Sequence, residues 1–447
     1  MNDAALGLDS IRHCLEGAIP AVMSTCAADG TPNIAYLSQV EYVDTQHVAL
    51  SFQFFNKTRQ NVLVNHHTRL IVGDPQSGAT YRFDLEYLRT ETAGALFERM
   101  KAKLAGIASH TGMAGIFRLR GSDVYRVCAI EQLGRSSVAL RPQRSVLAAL
   151  RNASERLRHC ADLDALFETT LGALHDEFGI HHAMILLHEK TAQRLYAVAS
   201  RGYGNSGVGG EIALGEGVIG IAAQACTPIR IGHMTVEYGY GRAVRAATLQ
   251  AGLDDLLATE IPLPGLPESR SQMAVPITAL TQSLGVLYVE SPLDSRFGYD
   301  DEDALCALAA QLGLSMLQLQ QSDSAETAPA APSNSEPVGA PVEVRHYREN
   351  DSVFLDGDYL IKGVAGAIFR VLVQDYIEHG RRVFSNRQLR LDPRIRLPEL
   401  TDNLEARLIL LARRLEERNA CLRIEKCGRG QFHLRIDRPL RLLDATG

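Results

Sequence analysis

The chain has 447 residues, with 46 Lys+Arg against 52 Asp+Glu and a formal net charge of −6. That length holds two to four domains with ample core, and the composition is that of a soluble globular protein, with no apolar run long enough to cross a membrane. The eight cysteines are scattered without a close C-x-x-C pair, and no basic segment followed by an apolar one opens the chain, so a zinc site, a disulfide framework and a secretory leader are all unexpected. A reducing cytoplasm is the expected compartment.

In chain order, the first elements are a short helix carrying Leu8, Ile11 and Leu15, a strand from Ala21 to Cys26, and a turn at Ala28-Asp29-Gly30. Strands follow over Pro32 to Val43 and His47 to Phe55, and Asn61 to Asn65 reads as helical. Leu70 to Gly73 and Thr80 to Thr90 read as strands, Ala93 to Leu104 as a helix, and Gly115 to Ile130 as a closing β segment. Many short antiparallel strands in this span imply a small barrel. Between the third strand and the next helix stands a polar cassette, Asn56-Lys57-Thr58-Arg59-Gln60-Asn61. Hydroxyl, ammonium, guanidinium and amide donors gathered where a helix begins suit a phosphate group.

These residues, with Ala21-Val22-Met23-Ser24-Thr25, the turn Gly30-Thr31-Pro32-Asn33 and Ala35-Tyr36-Leu37-Ser38, resemble the FMN-binding split barrel of the pyridoxamine 5′-phosphate oxidase superfamily across residues 10–133. The resemblance implies that Tyr36, Leu37 and Ser38 face the flavin and that Lys57, Thr58 and Arg59 hold its phosphate, with Asn61 completing the cofactor-binding set. It also implies a homodimer, because split barrels build the flavin site between subunits. The chain has no tryptophan, and Gly121 to Ile130 lacks the aromatic-rich motif of the true oxidases, which argues against pyridoxine-phosphate oxidation. The superfamily includes haem and deazaflavin binders, so FMN leads as cofactor while haem or an empty barrel stays open.

A second module, residues 136–321, begins with helices near Ser137 to His159 and Asp162 to Phe178. Strands follow at Ala183 to His188, Leu195 to Ser200, Gln272 to Ile277 and Leu284 to Ser291. A closing helix, Tyr299 to Gln320, carries Leu305, Leu308, Leu312, Met316 and Leu319 on one stripe. Gly215-Glu216-Gly217-Val218-Ile219-Gly220, Thr227 to Ile231, Met273 to Ile277 and Leu284 to Glu290 resemble a GAF domain, an α/β sandwich. That resemblance implies a sensory or dimerising module with a small-molecule ligand it does not name. His181, His182, His188, His233 and Cys226 read as surface or hydrogen-bonded residues rather than metal ligands, and Tyr238 to Asp255 is expected over the pocket mouth.

Residues 322–344, rich in Ala, Ser and Pro, read as a flexible linker. Beyond it, residues 345–447 hold 20 Lys+Arg against 15 Asp+Glu, a basic tail on an otherwise acidic chain that permits a nucleic-acid partner. A helical stripe from Ile368 to Ile377 stops at Gly380, Ser385 caps a second helix, and Asp402 with Glu405 starts a third. Cys421 to Lys426 and Gln431 to Ile436, joined through Gly428-Arg429-Gly430, form a hairpin. The order resembles the winged-helix output domain of response regulators, in which the third helix enters the major groove. Arg407, Arg414 and Arg418 are expected on its outward face with Arg413 beside them, and Arg429 at the wing tip, as DNA-contacting residues.

The expected architecture is therefore multidomain α+β: an antiparallel split β-barrel over residues 1–135, a GAF sandwich, and a winged helix. No G-x-S-x-G, Walker-type or H-E-x-x-H pattern is present, so no catalytic residue and no metal site are assigned. A cytoplasmic sensor acting on DNA is the leading expectation, and an FMN-dependent oxidoreductase regulated by the other modules is the alternative.

Overall fold

The computed structural model describes residues 6–15, 20–37, 39–53, 57–74, 77–110, 118–134, 145–189, 192–232, 261–322, 337–395, 397, 404–428 and 430–445. After a 3-10 helix (Leu8–Leu15), the first module builds β1 (Ala21–Cys26), β2 (Pro32–Leu37), β3 (Val40–Asp44), β4 (His47–Phe52), β5 (His67–Gly73), β6 (Thr80–Glu91) and β7 (Gly121–Gly134), with helices α1 (Lys57–Val64) and α2 (Ala95–His110). The strands make one antiparallel sheet in the order β2-β1-β5-β6-β7-β4-β3. Burial alternates along β1, β5 and β6, so one face meets a core of Met23, Leu70, Phe83, Leu85 and Tyr125. Leu8, Ile11 and Leu15 of the 3-10 helix seal that core. The expected single strand over Pro32 to Val43 is two strands, β2 and β3, at opposite edges of the sheet.

The second module contains α3 (Val146–Leu157), α4 (Leu163–Asp176), β8 (His182–Glu189), β9 (Arg194–Arg201), β10 (Glu211–Ala213), α5 (Gly217–Ala225), β11 (Ile229–Ile231), β12 (Ser271–Ala279), β13 (Gln282–Ser291) and α6 (Tyr299–Ser322). Its sheet runs β10-β9-β8-β13-β12-β11 and is covered on both faces. Ile185, Leu187, Val198, Val275 and Leu287 pack with α3, α4 and α6, while Met184, Leu186, Leu195 and Ala197 pack under α5. Runs of consecutive buried residues in β8, β9 and β12 follow from this. Gly313 lets α6 lie against the sheet, since a Cβ there would stand 2.5 Å from the Thr278 carbonyl oxygen.

The third module corrects the linker boundary. Strand β14 (Val342–Tyr347) starts inside the stretch read as linker, and β15 (Ser352–Leu355) and β16 (Asp358–Ile361) follow before α7 (Gly363–His379). The β15–β16 turn uses Asp356 and Gly357 at φ +49° and +92°, a D-G hairpin signal that a compositional reading passed over. Then come β17 (Val383–Ser385), α8 (Asn386–Leu391), α9 (Leu404–Glu417), the hairpin of β18 (Leu422–Gly428) and β19 (Gln431–Ile436), and β20 (Leu440–Ala445). The expected helices and hairpin are present; β20, which pairs parallel with β14 from Val342↔Leu440 to Tyr347↔Ala445, was not anticipated.

Two sets of charges tie the modules together. Between the first and second, Lys103 Nζ lies 3.8 Å from Glu302; within their own modules Lys103 is 3.0 Å from Glu41 and Glu302 is 2.8 Å from Arg230 Nε. Burial alone would raise Glu302, but the Lys103 and Arg230 cations outweigh it and hold the carboxyl below its ordinary value. Arg12 adds ion pairs to Asp300 and, at 3.3 Å, to Asp303. Helix α2 also packs on α5, burying Ala102 in the core beneath it.

Two stability predictions follow from buried or clustered carboxylates. Glu302→Gln should cost about 3 kcal/mol, because it takes from buried Arg230 its carboxylate partner and from Lys103 its ion pair across the junction, and should be read by urea denaturation. Asp444 sits among Arg370, Arg348 and His346; burial would raise it, and those partners depress it far below the carboxylate range. The stability it confers is complete above about pH 4 and declines as pH falls toward the depressed folded value. Asp444→Asn should therefore cost about 1 kcal/mol at pH 7 and flatten the acid loss of the third module, measured by denaturation at pH 7 and pH 3; an unchanged acid profile would contradict the assignment.

Candidate functional site

The phosphate-type cassette lies where β4 gives way to α1. Lys57 is exposed at the first residue of α1. Thr58 Oγ1 accepts from Asn33 Nδ2 at 2.9 Å, and buried Asn61 donates to Thr25 Oγ1 at 3.1 Å. Arg59 turns inward. It donates to Asp123 Oδ2 at 2.6 Å and Thr90 Oγ1 at 2.7 Å, and its guanidinium stacks 4.7 Å from the Phe52 ring centroid. Thr90 also donates to Asp123 Oδ1 at 2.6 Å. The Arg59 and Asp123 side chains are 11% and 8% exposed, so this pair is desolvated. Burial pushes Asp123 up, with Thr90 and Arg59 opposing it. Gly121 is required here, because a Cβ would come within 2.5 Å of Thr90 Cγ2.

Above this pair is a cavity of about 150 Å³ lined by Tyr36, Leu37, Ser51, Gln53, Thr58 and Arg59 among others. Ser51 Oγ and Gln53 Oε1 are buried without a hydrogen-bond partner among the described residues. The structure thus gathers Tyr36, Leu37, Thr58 and Arg59 around one space, leaves Lys57 exposed at the start of α1 and outside the lining, and commits Asn61 to β1. Tyr36 and Ile34 are 78% and 72% exposed on edge strand β2. Ser38 lies outside the described residues, as do His233, Arg429 and the segment Tyr238 to Asp255. Asp123 and Thr90 were not foreseen. An aspartate inside a strand is unusual and was the available signal.

Of the arginines expected on or beside the outward face of α9, Arg407, Arg413 and Arg414 do not face solvent. Arg407 and Arg414 are 3% and 5% exposed. Arg407 pairs with Glu189 at 3.0 Å and stacks 3.9 Å from the Tyr196 ring centroid. Arg413 donates to the Val198 carbonyl at 3.1 Å and pairs with Asp164 at 2.8 Å and Glu168 at 2.7 Å. Arg414 donates to the Leu360 carbonyl at 3.2 Å and pairs with Glu417 at 2.7 Å. Only Arg418 of that set is exposed among the described residues. The helical stripe of leucines was read correctly, but a single-module reading assumed water on the opposite face; the second module is there instead.

Elsewhere, the donor atoms of His13, Cys14 and Asp74 lie within 4.8 Å of one another. Asp74 there accepts from Ser77, and the Asp74 N–H donates to the Ala79 carbonyl oxygen at 2.8 Å, closing a turn. His181 meets His175 through their Nδ1 atoms at 3.1 Å, and His182 packs edge-on to Tyr203.

Residues 162–316 match the GAF domain family, so the second module is a GAF domain, which suggests a sensory role. Among solved structures, the chain is similar to the GAF domain of a phosphoenolpyruvate-protein phosphotransferase from Acinetobacter, at 20% identity over 40% of this chain and 97% of that one, with a TM-score of 0.32. A free methionine-R-sulfoxide reductase from Neisseria meningitidis in complex with its substrate is similar at 18% identity over 42% and 98%, with a TM-score of 0.31. An FMN-binding protein from Syntrophomonas wolfei subsp. wolfei is similar at 21% identity over 30% and 93%, with a TM-score of 0.23. No curated protein matches the chain.

The Arg59–Asp123 pair should behave as a unit. Asp123→Ala and Arg59→Ala should each cost about 3 kcal/mol, and the double variant should cost clearly less than their sum. A double-mutant cycle by denaturant unfolding checks this; additive costs would show that the two groups are not coupled.

Proposed function

We propose that the chain is a sensory regulator in which a flavin-binding first module and the GAF domain set the state of a winged-helix-like, DNA-directed third module. The observation that supports this most is that the GAF domain meets both neighbours through charge pairs with little exposure, Lys103 with Glu302 on one side and Arg407 with Glu189 on the other. A module placed so can pass a ligand's differential binding energy to the next. The three helices followed by the β18–β19 hairpin support the winged-helix reading of the output.

FMN is the cofactor the first module fits best, in a split-barrel arrangement. Lys57, Thr58 and the first N–H groups of α1 are suited to its phosphate, and the unpartnered Ser51 and Gln53 atoms offer polar contacts beside them. Arg59 is neutralised by Asp123, so it would contribute less than its charge suggests. A cavity of about 150 Å³ is small against the ~300–1,000 Å³ of a pocket enclosing a drug-sized ligand. Exposed Ile34 and Tyr36 on edge strand β2 support a second copy of the chain completing the site. A bound flavin supplies reversible redox chemistry, and the protein's part is to hold and orient it.

The same orphaned polar atoms favour a second reading, an FMN-dependent oxidoreductase regulated by the other modules. Yellow protein that turns over a substrate with a nicotinamide cofactor or oxygen would select it; yellow protein without turnover, whose DNA affinity changes on reduction, selects the regulator. Lys57→Ala with Arg59→Ala should abolish FMN retention at unchanged circular dichroism, and Asp123→Asn should tighten FMN several-fold by removing a competing negative charge. FMN content that ignores all three changes would sink the cofactor assignment.

A further inference from the structure

We propose that the GAF domain holds the third module in a DNA-excluding state, its carboxylates occupying the guanidinium and ammonium groups of α9 and β18 that a phosphate backbone would otherwise take. The inference rests on the reading of that module as a DNA-directed output, and it names how the output is kept off.

Four acidic residues of the GAF domain meet three cations of the third module. Glu189 takes Arg407, Asp164 and Glu168 take Arg413, and Asp162 lies 3.0 Å from Lys426 Nζ. A fifth, Glu211, lies 3.3 Å from Lys362. Carboxylates and phosphates present the same acceptor geometry to a guanidinium, so the two compete for one face. Tyr196 adds a ring beneath Arg407. Asp162 does two jobs, since its side chain also accepts from Ala165 N at 2.9 Å to cap α4. Burial would raise it, but the Ala165 bond and the Lys426 cation keep it low and therefore charged.

The contact combines an apolar centre, where one buried cluster runs from the GAF domain into Leu408, Ile409 and Leu410 of α9, with a charged rim. Asp164 and Glu168 are 45% and 53% exposed, so the Arg413 pair sits at a screened rim. Beside it the interface leaves a cleft of about 1,020 Å³, half open to solvent and lined from both modules by Asp162, Glu168, Leu408, Arg413, Glu416 and Phe432 among others. A cleft of this kind brings water and salt to the charged rim of the contact. Arg407, by contrast, is buried and sets the register of docking.

The test uses the full chain with Asp164→Lys and Glu168→Lys, two largely exposed positions where folding tolerates the change, and separately Glu189→Gln. Hydrogen exchange of α9 reports docking, and binding to a random-sequence DNA duplex is followed across salt concentrations. The double variant should lose α9 protection and bind DNA about tenfold tighter than the unaltered chain at low salt, with a steeper salt dependence as more cations reach phosphate. Glu189→Gln should move both readouts the same way. Unchanged α9 protection in both variants would overturn charge-held docking. Released α9 with no gain in DNA binding would leave the docking standing and sink the DNA reading itself. Unaltered chain that already binds DNA as tightly as the released variant would overturn the exclusion while keeping the DNA reading.

Discussion

A sheet whose middle strands are buried on both faces cannot be left half covered. In the GAF domain, β8, β9, β13 and β12 alternate side chains into two separate cores, and each core needs a lid. Helices α3, α4 and α6 close one side and α5 the other, and the neighbouring modules then build on those layers. Helix α2 of the first module buries Ala102 in the α5 core, and α9 of the third packs against α4 and β9. The two flanking modules are thus arranged around one double-sided hydrophobic requirement, with charge pairs setting their registers.

The charges at the two junctions share one arrangement. Between the first two modules the Lys103–Glu302 pair is buried and shares partners with Glu41 and Arg230, while Arg12 meets Asp300 and Asp303 at an exposed rim. Around α9 one ion pair is buried and the others lie at the rim, where salt and competing anions reach them. Each junction thus sets one pair with little exposure beside pairs that solvent reaches.

Much of the fold was legible from periodicity. Leu305, Leu308 and Leu312 marked α6, Leu404, Leu408, Leu411 and Leu415 marked the inward face of α9, and the alternation in β1 and β6 marked strands of a half-buried sheet. What escaped was long-range or masked by composition. Val342 to Tyr347 alternates as a strand should, but it follows a Pro- and Ala-rich stretch and was absorbed into it. The partner of β14 lies almost a hundred residues on, where no local pattern announces it. The cassette at Lys57 to Asn61 was found from donor types alone; that Asp123 would claim Arg59 depends on a strand pairing remote in sequence. The arginines of α9 were read as exposed because a helix pattern separates two faces without saying which neighbour meets the polar one.

The parallel pairing of β14 with β20 has a consequence for the order in which the protein is made. The four-stranded sheet of the third module cannot close until Leu440 to Ala445 has been synthesised, whereas every strand of the GAF domain is complete by Ser291. Domains fold as units in the order they are made, so the acidic face bearing Asp164, Glu168 and Glu189 is already standing when α9 becomes available. The third module then finishes folding against a GAF surface that is already in place, so the template for its docking precedes it.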